Sequence, residues 1–406
     1  MSESSAPTNS TTPMNGLEKV NIGLVLVLAM ALPMLILYAT GALGPYLIEA
    51  LQINKTDLSY FVMASFGLAS VLSLFAGKIV DSLGLRSSFA LHFLAIAASF
   101  LLISMADSLT AMIGAVAIVG LSQAIANPVT NQLIALRIPA SSKPKMVGLK
   151  QSGVQLSALF AGFALPAIAI HWDWRAAFGV IVPIAMTMAV LGWKIAPKKA
   201  AGSKPSNLRP PNVPLTLLML TQGGIGAVLS AYITYVPSFA TSLSFPPEQA
   251  ALLITLFGIT GMASRIIMTP IAASFDNQAM FIVGLTGFAI IAIMITMRAS
   301  HSDGWPLYFG VTGIGLSIVA TNAIAMGMVI KDQRFGPVAY ASGMVSAAFF
   351  GGLATGSAAF GQIISFFGDF SSGWVFTIMV LAFSGTFCFL LASQHQQLTQ
   401  QEATSK

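Results

Sequence analysis

Gly77-Lys78-Ile79-Val80-Asp81-Ser82-Leu83-Gly84-Leu85-Arg86 sets two glycines and three charged residues between two long apolar runs. A lipid-facing helix does not tolerate that density of charge, so the stretch reads as a tight polar loop joining two membrane helices. Gly77 lets another helix come close, and Gly84 permits a tight turn. Asp81 either pairs with Arg86 or sits at a helix N-terminus, where negative charge is favoured.

The flanking runs, 58–80 and 88–105, are each about as long as the roughly 20 residues that cross a bilayer. Similar runs fill the chain at 21–47, 111–136, 146–170, 174–195, 213–243, 249–275, 279–297, 305–330, 337–367 and 372–392. They are numbered here as spans 1 to 12 in chain order. Continuous apolar runs, rather than short alternating ones, predict helices and not a barrel. The composition agrees: 56% of residues are hydrophobic and 8% charged, against roughly 25% charged in a soluble domain. The expected fold is an all-α membrane protein, with twelve transmembrane helices in two pseudo-symmetric six-helix bundles.

Between spans 6 and 7 lies a Pro-, Ser- and Lys-rich stretch, APKKAAGSKPSNLRPPN, which reads as a linker. The organisation expected is an N-terminal tail at 1–19, a first bundle at 20–196, a linker at 197–212, a second bundle at 213–393 and a C-terminal tail at 394–406. A shift of 195 residues lays Asp81 on Asp276, Asn127 on Asn322 and Gly148 on Gly343, as parallel repeats would. Loop Lys and Arg, among them Lys143, Lys145, Lys194, Lys199, Lys204, Arg209 and Lys331, gather on the side of the two termini. The opposite side receives Lys55, Arg175 and Arg298 amid acidic residues. The positive-inside rule therefore predicts an inner (plasma) membrane protein with both termini cytoplasmic. The polar N-terminus lacks the basic region and cleavage site of a signal peptide. A lone cysteine, Cys388, and four scattered histidines offer neither a disulfide nor a metal site. The net charge of +6 resides in loops and predicts no nucleic-acid partner. No cofactor is called for.

The loop from Gly77 to Arg86 resembles the G-x-x-x-D-x-x-G-x-R loop of the major facilitator superfamily. With the twelve spans and the central linker, the resemblance covers essentially the whole chain. It implies a secondary transporter working by alternating access, often monomeric, in which Gly77, Asp81, Gly84 and Arg86 latch the cytoplasmic gate. The copy at 272–281 keeps Asp276 but loses the glycines and the Arg. Several branch signatures are missing. Val116 stands where proton-coupled antiporters carry Arg in span 4, span 5 has no G-P-x-x-G-G run, and no P-E-S-P-R-like stretch follows span 6. Lys150-Gln151-Ser152-Gly153 looks like a K-Q-S-G stretch in cyanate-transporter-like members. Arg265 looks like the substrate arginine of monocarboxylate and oxalate carriers, although Gly261 stands where those often carry an Asp.

The residues themselves point the same way. Lys150 and Arg265 are the two cations inside the spans, and no carboxylate shares the interior with them. Buried charge of this kind usually faces a cavity and has a function. A small organic anion, mono- or dicarboxylate-like, bridging Arg265 and Lys150 is the expected substrate. It would move by exchange, uniport or proton symport. Gln151 and Gln155 share a face of span 5, and Gln123, Asn127 and Asn131 share a face of span 4. Asn322, Tyr38 and Tyr232 complete the expected substrate-binding set, while Phe349 and Phe350 read as packing. The alternative is an exporter of amphipathic, drug-like compounds, whose apolar cavity would use the 20 Met and 27 Phe. An enzyme is not expected, because no nucleophile, acid–base pair or metal site is evident.

Overall fold

A computed structural model describes residues 16–53, 57–198, 210–245 and 247–404. Most of the N-terminal tail and of the linker, including Lys199, Lys204 and Arg209, lies outside the described residues, as does Lys55. Among those described, eleven helices are long and apolar enough to cross a membrane. One of them, Leu58–Met105, has 48 residues, or about 72 Å at 1.5 Å per residue. That is more than twice a hydrocarbon core of about 30 Å, so it holds spans 2 and 3. The two are joined through Gly84, whose φ of 75° and ψ of 161° are non-helical. Only glycine takes up that conformation readily. The quoted loop is thus a one-residue break rather than a coil, and twelve spans result.

The remaining spans are Gly16–Ala42, Leu109–Arg137, Lys143–His171, the pair Trp174–Gly179 and Ile181–Ile195, Val213–Ser242, Pro247–Ala273, Gln278–Thr296, the pair Trp305–Leu316 and Ile318–Lys331, Val338–Phe367 and Phe370–Thr404. Polar residues start several of them: the Ser108, Asn212 and Asn277 side chains accept from the backbone N–H three residues on. Span 10 is not the continuous helix the sequence predicts. It breaks at Ser317 (φ −100°, ψ −90°), where the Ser317 hydroxyl donates to the Gly313 carbonyl at 2.6 Å.

Spans 1–6 and 7–12 meet along two seams, and the glycines show why they can. Span 2 lies on span 11: a Cβ at Gly77 would fall 2.5 Å from the Tyr340 Cα, and one at Gly343 would fall 2.7 Å from the Ser73 carbonyl. Span 5 lies on span 8, where a Cβ at Gly148 would strike the carbonyl of Arg265. Gly148 and Gly343 are related by the 195-residue shift, and each sits at one of these two seams. Of the small residues in span 11, Gly343 and Gly351 face span 2, while Gly352 and Gly356 face Gly223 and Ala227 of span 7. All these contacts between the halves fall toward the face that bears the termini, so the molecule is closed on that terminal face. The ion pairs given by the described residues, Arg137–Glu18, Arg175–Asp173 and Arg334–Asp332, lie at helix ends.

Candidate functional site

Where spans 1, 4, 5, 7, 8, 10 and 11 converge, a cavity of about 50 Å³ remains. It has room for about three to five waters at roughly 10–15 Å³ each. Its polar lining is Tyr38, Gln123, Asn127, Gln151, Gln155, Arg265 and Asn322, and no carboxylate lines it. The rest of the wall is apolar, with Met30, Met34, Phe257, Phe349 and Phe350 prominent.

Arg265 is 4% exposed and is held from three directions. Its Nε donates to the Val319 carbonyl at 3.0 Å. Its Nη1 donates to the Gln151 carbonyl at 2.6 Å and to Gln155 Oε1 at 2.8 Å. The break at Ser317 helps, because it opens span 10 beside span 8: Ser264 takes the Leu316 carbonyl at 2.8 Å, one residue before Arg265 takes that of Val319. Gly148 helps as well, since any side chain there would push span 5 away and carry Gln151 and Gln155 out of reach. Nη2, with two N–H groups, has no partner among the described residues. Gly261, one turn before Arg265, packs against Val319 and Gln155; a Cβ there would lie 3.1 Å from Val319 Cγ1 and 3.5 Å from Gln155 Nε2. The guanidinium therefore has only neutral partners.

Lys150 departs from the expected arrangement. It is 0% exposed, so it does not reach the aqueous face, and it does not line the cavity either. Its Nζ donates to Asn127 Oδ1 at 3.1 Å, Thr130 Oγ1 at 2.8 Å and Asn131 Oδ1 at 2.5 Å. Those three acceptors use all three of its N–H groups. An anion shared by Lys150 and Arg265 is therefore not what this geometry offers: spacings of three and four residues aim Asn127, Thr130 and Asn131 of span 4 at the ammonium. The cluster runs on into the second half, because Asn127 Nδ2 donates to Ser346 Oγ at 3.0 Å and Asn131 Nδ2 to Ser342 Oγ at 2.8 Å. Asn127 Oδ1 also accepts from Gln151 Nε2 at 3.0 Å, which ties the cluster to the cavity wall.

Tyr232 is also elsewhere. Its hydroxyl shares a hydrogen bond of 2.8 Å with Thr296 Oγ1, and its ring lies 5.4 Å from that of Trp374. It packs inside the second half, and span 7 turns Leu229 and Ile233 to the cavity instead. Asn322 donates to Gln222 Oε1 at 3.4 Å. Tyr38 lines the cavity with no hydroxyl partner among the described residues. Phe349 and Phe350, read from sequence as packing, form part of the wall.

The loop residues sit at the closure. Asp81 accepts from Gln132 Nε2 at 3.3 Å. Arg86 Nε donates to the Ala196 carbonyl at 2.8 Å, so span 3 is anchored to the end of span 6. A second recess, of about 630 Å³, opens on the terminal face and is lined by Lys143, Lys145, Lys331 and Thr269 among others. Thr269 donates to the Arg265 carbonyl at 2.7 Å. Between Val147, which lines the recess, and Gln151, which lines the cavity, stands one turn of span 5 carrying Gly148.

A broken helix beside a central cavity with a buried arginine on its wall, between two six-span halves, is the plan of a secondary transporter. The Major Facilitator Superfamily profile matches residues 25–334, and the chain belongs to that family. It is a transporter of small molecules, not an enzyme. Over 166 residues it is 30% identical to a probable sugar efflux transporter of Helicobacter pylori (strain HPAG1), a match covering 38% of this chain and 40% of that relative's length. Its fold is similar to that of the proton:xylose symporter XylE bound to 6-bromo-6-deoxy-D-glucose, with a TM-score of 0.74 at 14% identity, covering 95% of this chain and 96% of that one. It is also similar to the human organic anion transporter MFSD10, with a TM-score of 0.72 at 14% identity, covering 93% and 100%. At such identities the likeness is one of fold.

Proposed function

We propose that this transporter carries a small organic anion, mono- or dicarboxylate-like, by alternating access across the inner (plasma) membrane, with both termini cytoplasmic. The observation that supports this is Arg265. A guanidinium lines the central cavity, is fixed by neutral oxygens from both halves, and keeps two N–H groups unspent with no acid to neutralise it. A carboxylate supplies both the charge and the acceptors, through charge-assisted hydrogen bonds. Because Arg265 belongs to the second half and Gln151 and Gln155 to the first, an anion bound there acts at the contact that must break when the halves rock. Gly77, Asp81, Gly84 and Arg86 then serve the gate on the terminal face. The coupling is anion exchange, uniport or symport with a proton.

The apolar wall of Met30, Met34, Phe257, Phe349 and Phe350 favours a second reading, export of amphipathic drug-like compounds. A cavity of about 50 Å³ favours the smaller ligand. Ligand-dependent melting of the purified protein in detergent separates the two, using small carboxylates, sugars and cationic amphipaths. Stabilisation by carboxylates that vanishes in Arg265→Ala is the expected result. Stabilisation by amphipaths alone, unchanged in that variant, would put the exporter in its place.

A further inference from the structure

Gln123 lines the same cavity, is 1% exposed, and is half used. Its Nε2 donates to the Pro33 carbonyl at 3.1 Å and to Ser65 Oγ at 3.0 Å. The orientation of the amide follows from chemistry: a carbonyl only accepts, so the nitrogen must face Pro33. Both amide hydrogens are then spent, and Oε1 is left buried with no hydrogen-bond partner. Buried acceptors of this kind are rare and ask for an explanation. Here the atom belongs to a residue on the wall of a substrate cavity.

Two unspent groups of opposite kind therefore belong to side chains on the wall of one cavity. Arg265 Nη2, from the second half, needs an acceptor. Gln123 Oε1, from the first half, needs a donor. A plain carboxylate satisfies only the first, and its own oxygens would repel the second. An ammonium would serve as a donor but would add a second cation beside Arg265, where no acidic residue lines the wall to balance it. A hydroxyl donates without adding charge. We infer that the ligand is a hydroxycarboxylate, whose carboxylate takes Arg265 and whose hydroxyl donates to Gln123 Oε1. This rests on the proposed anion reading and narrows it. The Tyr38 hydroxyl, on the same wall and itself without a partner among the described residues, is free to give or accept a further bond to either group. Such a ligand joins the two halves through two different chemistries, so removing its hydroxyl loosens its hold on the first half alone.

The test uses matched small molecules on the full-length protein in detergent, with affinities measured by calorimetry. The set is propanoate, 2-hydroxypropanoate, 3-hydroxypropanoate and the neutral propane-1,2-diol. At least one hydroxy acid should bind tenfold or more tighter than propanoate, about 1.4 kcal/mol, and the diol should not bind. In Gln123→Met that ratio should shrink toward one, because the methionine offers no acceptor. The comparison on the unaltered protein stands even where the variant folds poorly. Equal binding of propanoate and both hydroxy acids overturns the hydroxyl assignment and leaves the anion reading intact. Binding of the diol alone, or of no acid in the set, overturns both.

Discussion

Lys150 and Arg265 are buried to nearly the same degree, 0% and 4% exposed, and neither has an acid beside it. Their hydrogen bonds end differently. The three N–H groups of Lys150 meet three oxygens of a single helix, span 4. Those of Arg265 reach spans 5 and 10, on both sides of the seam, and two are left over. Burial of a cation in a membrane protein is a reason to suspect function, and by that criterion alone the two residues are equivalent. Counting donors against acceptors separates them. The compact, rotatable ammonium can be saturated by a stripe of short polar side chains. The planar guanidinium, with five donors in a rigid fork, is harder to saturate, and what remains unspent faces the cavity.

The contrast is broken most directly at Arg265. Arg265→Lys keeps the charge but lacks the fork, and it has no donors left for ligand after meeting Gln155 and two carbonyls. Carboxylate affinity is expected to fall by about 100-fold, from the loss of roughly 1.5–3 kcal/mol of charge-assisted bonding. Calorimetry on the purified variant reads it. Affinity within threefold of the original would mean that Arg265 serves packing, as Lys150 does.

Gly261→Asp sharpens the same point from the other side. The new carboxylate would stand one turn from Arg265, next to Val319 and Gln155, and would compete with the ligand for Nη2. About a tenfold loss in carboxylate affinity is expected, read by calorimetry against the unaltered protein. If affinity matched the unaltered protein, the guanidinium would not be the anion's partner.

Lys150→Met should behave in the opposite way. It leaves Thr130 Oγ1 and Asn131 Oδ1 short of a donor, while Asn127 Oδ1 keeps Gln151 Nε2, a cost that loss of a buried charge partly offsets. A net loss of about 2 kcal/mol in stability is expected, with melting several degrees lower, while the folded protein binds carboxylate within tenfold of the original. Lost binding at an unchanged melting temperature would return Lys150 to the substrate site.

The sequence shows the fold more clearly than the site, for physical reasons. Span number follows from bilayer thickness and apolar length, and Gly84 marks the break between spans 2 and 3 because its positive φ excludes most other residues. The break in span 10 is less visible: Gly313, Gly315 and Ser317 hint at it, but small residues are common where helices pack closely. Helix rotation is the main thing periodicity leaves open. Gln123, Asn127 and Asn131 form one stripe in sequence, yet the stripe twists past two environments. Gln123 and Asn127 meet the cavity, whereas Asn131 meets Lys150 and Ser342. Tyr232 was expected at the cavity and lies against Thr296; the polar residues of span 7, among them Thr221, Gln222, Ser230 and Thr234, are spread around the helix, so periodicity does not reveal which side turns inward. Phe349 and Phe350 were assigned to packing because an apolar cavity wall and a helix interface have the same composition.

The smallest expected effect concerns what the Lys150 cluster does if it does not hold substrate. Asn127 and Asn131 pass from Lys150 to Ser346 and Ser342 of span 11, so the ammonium orients two amides that cross between the halves. Both crossings lie on the terminal side, beside the seam where Gly77 meets Tyr340. On the proposed reading the cluster belongs to the closed gate, and Arg265 to the ligand. Ser342→Ala removes one crossing, worth about 1 kcal/mol, and should shift the balance between gate states by roughly fivefold with little change in melting temperature. A cysteine placed at Val154 on the cavity wall, in a Cys388→Ala background, reports the shift as faster labelling by a thiol reagent added from the terminal side. Unchanged labelling alongside a several-degree fall in melting temperature would make the cluster a fixed strut, stabilising both gate states alike.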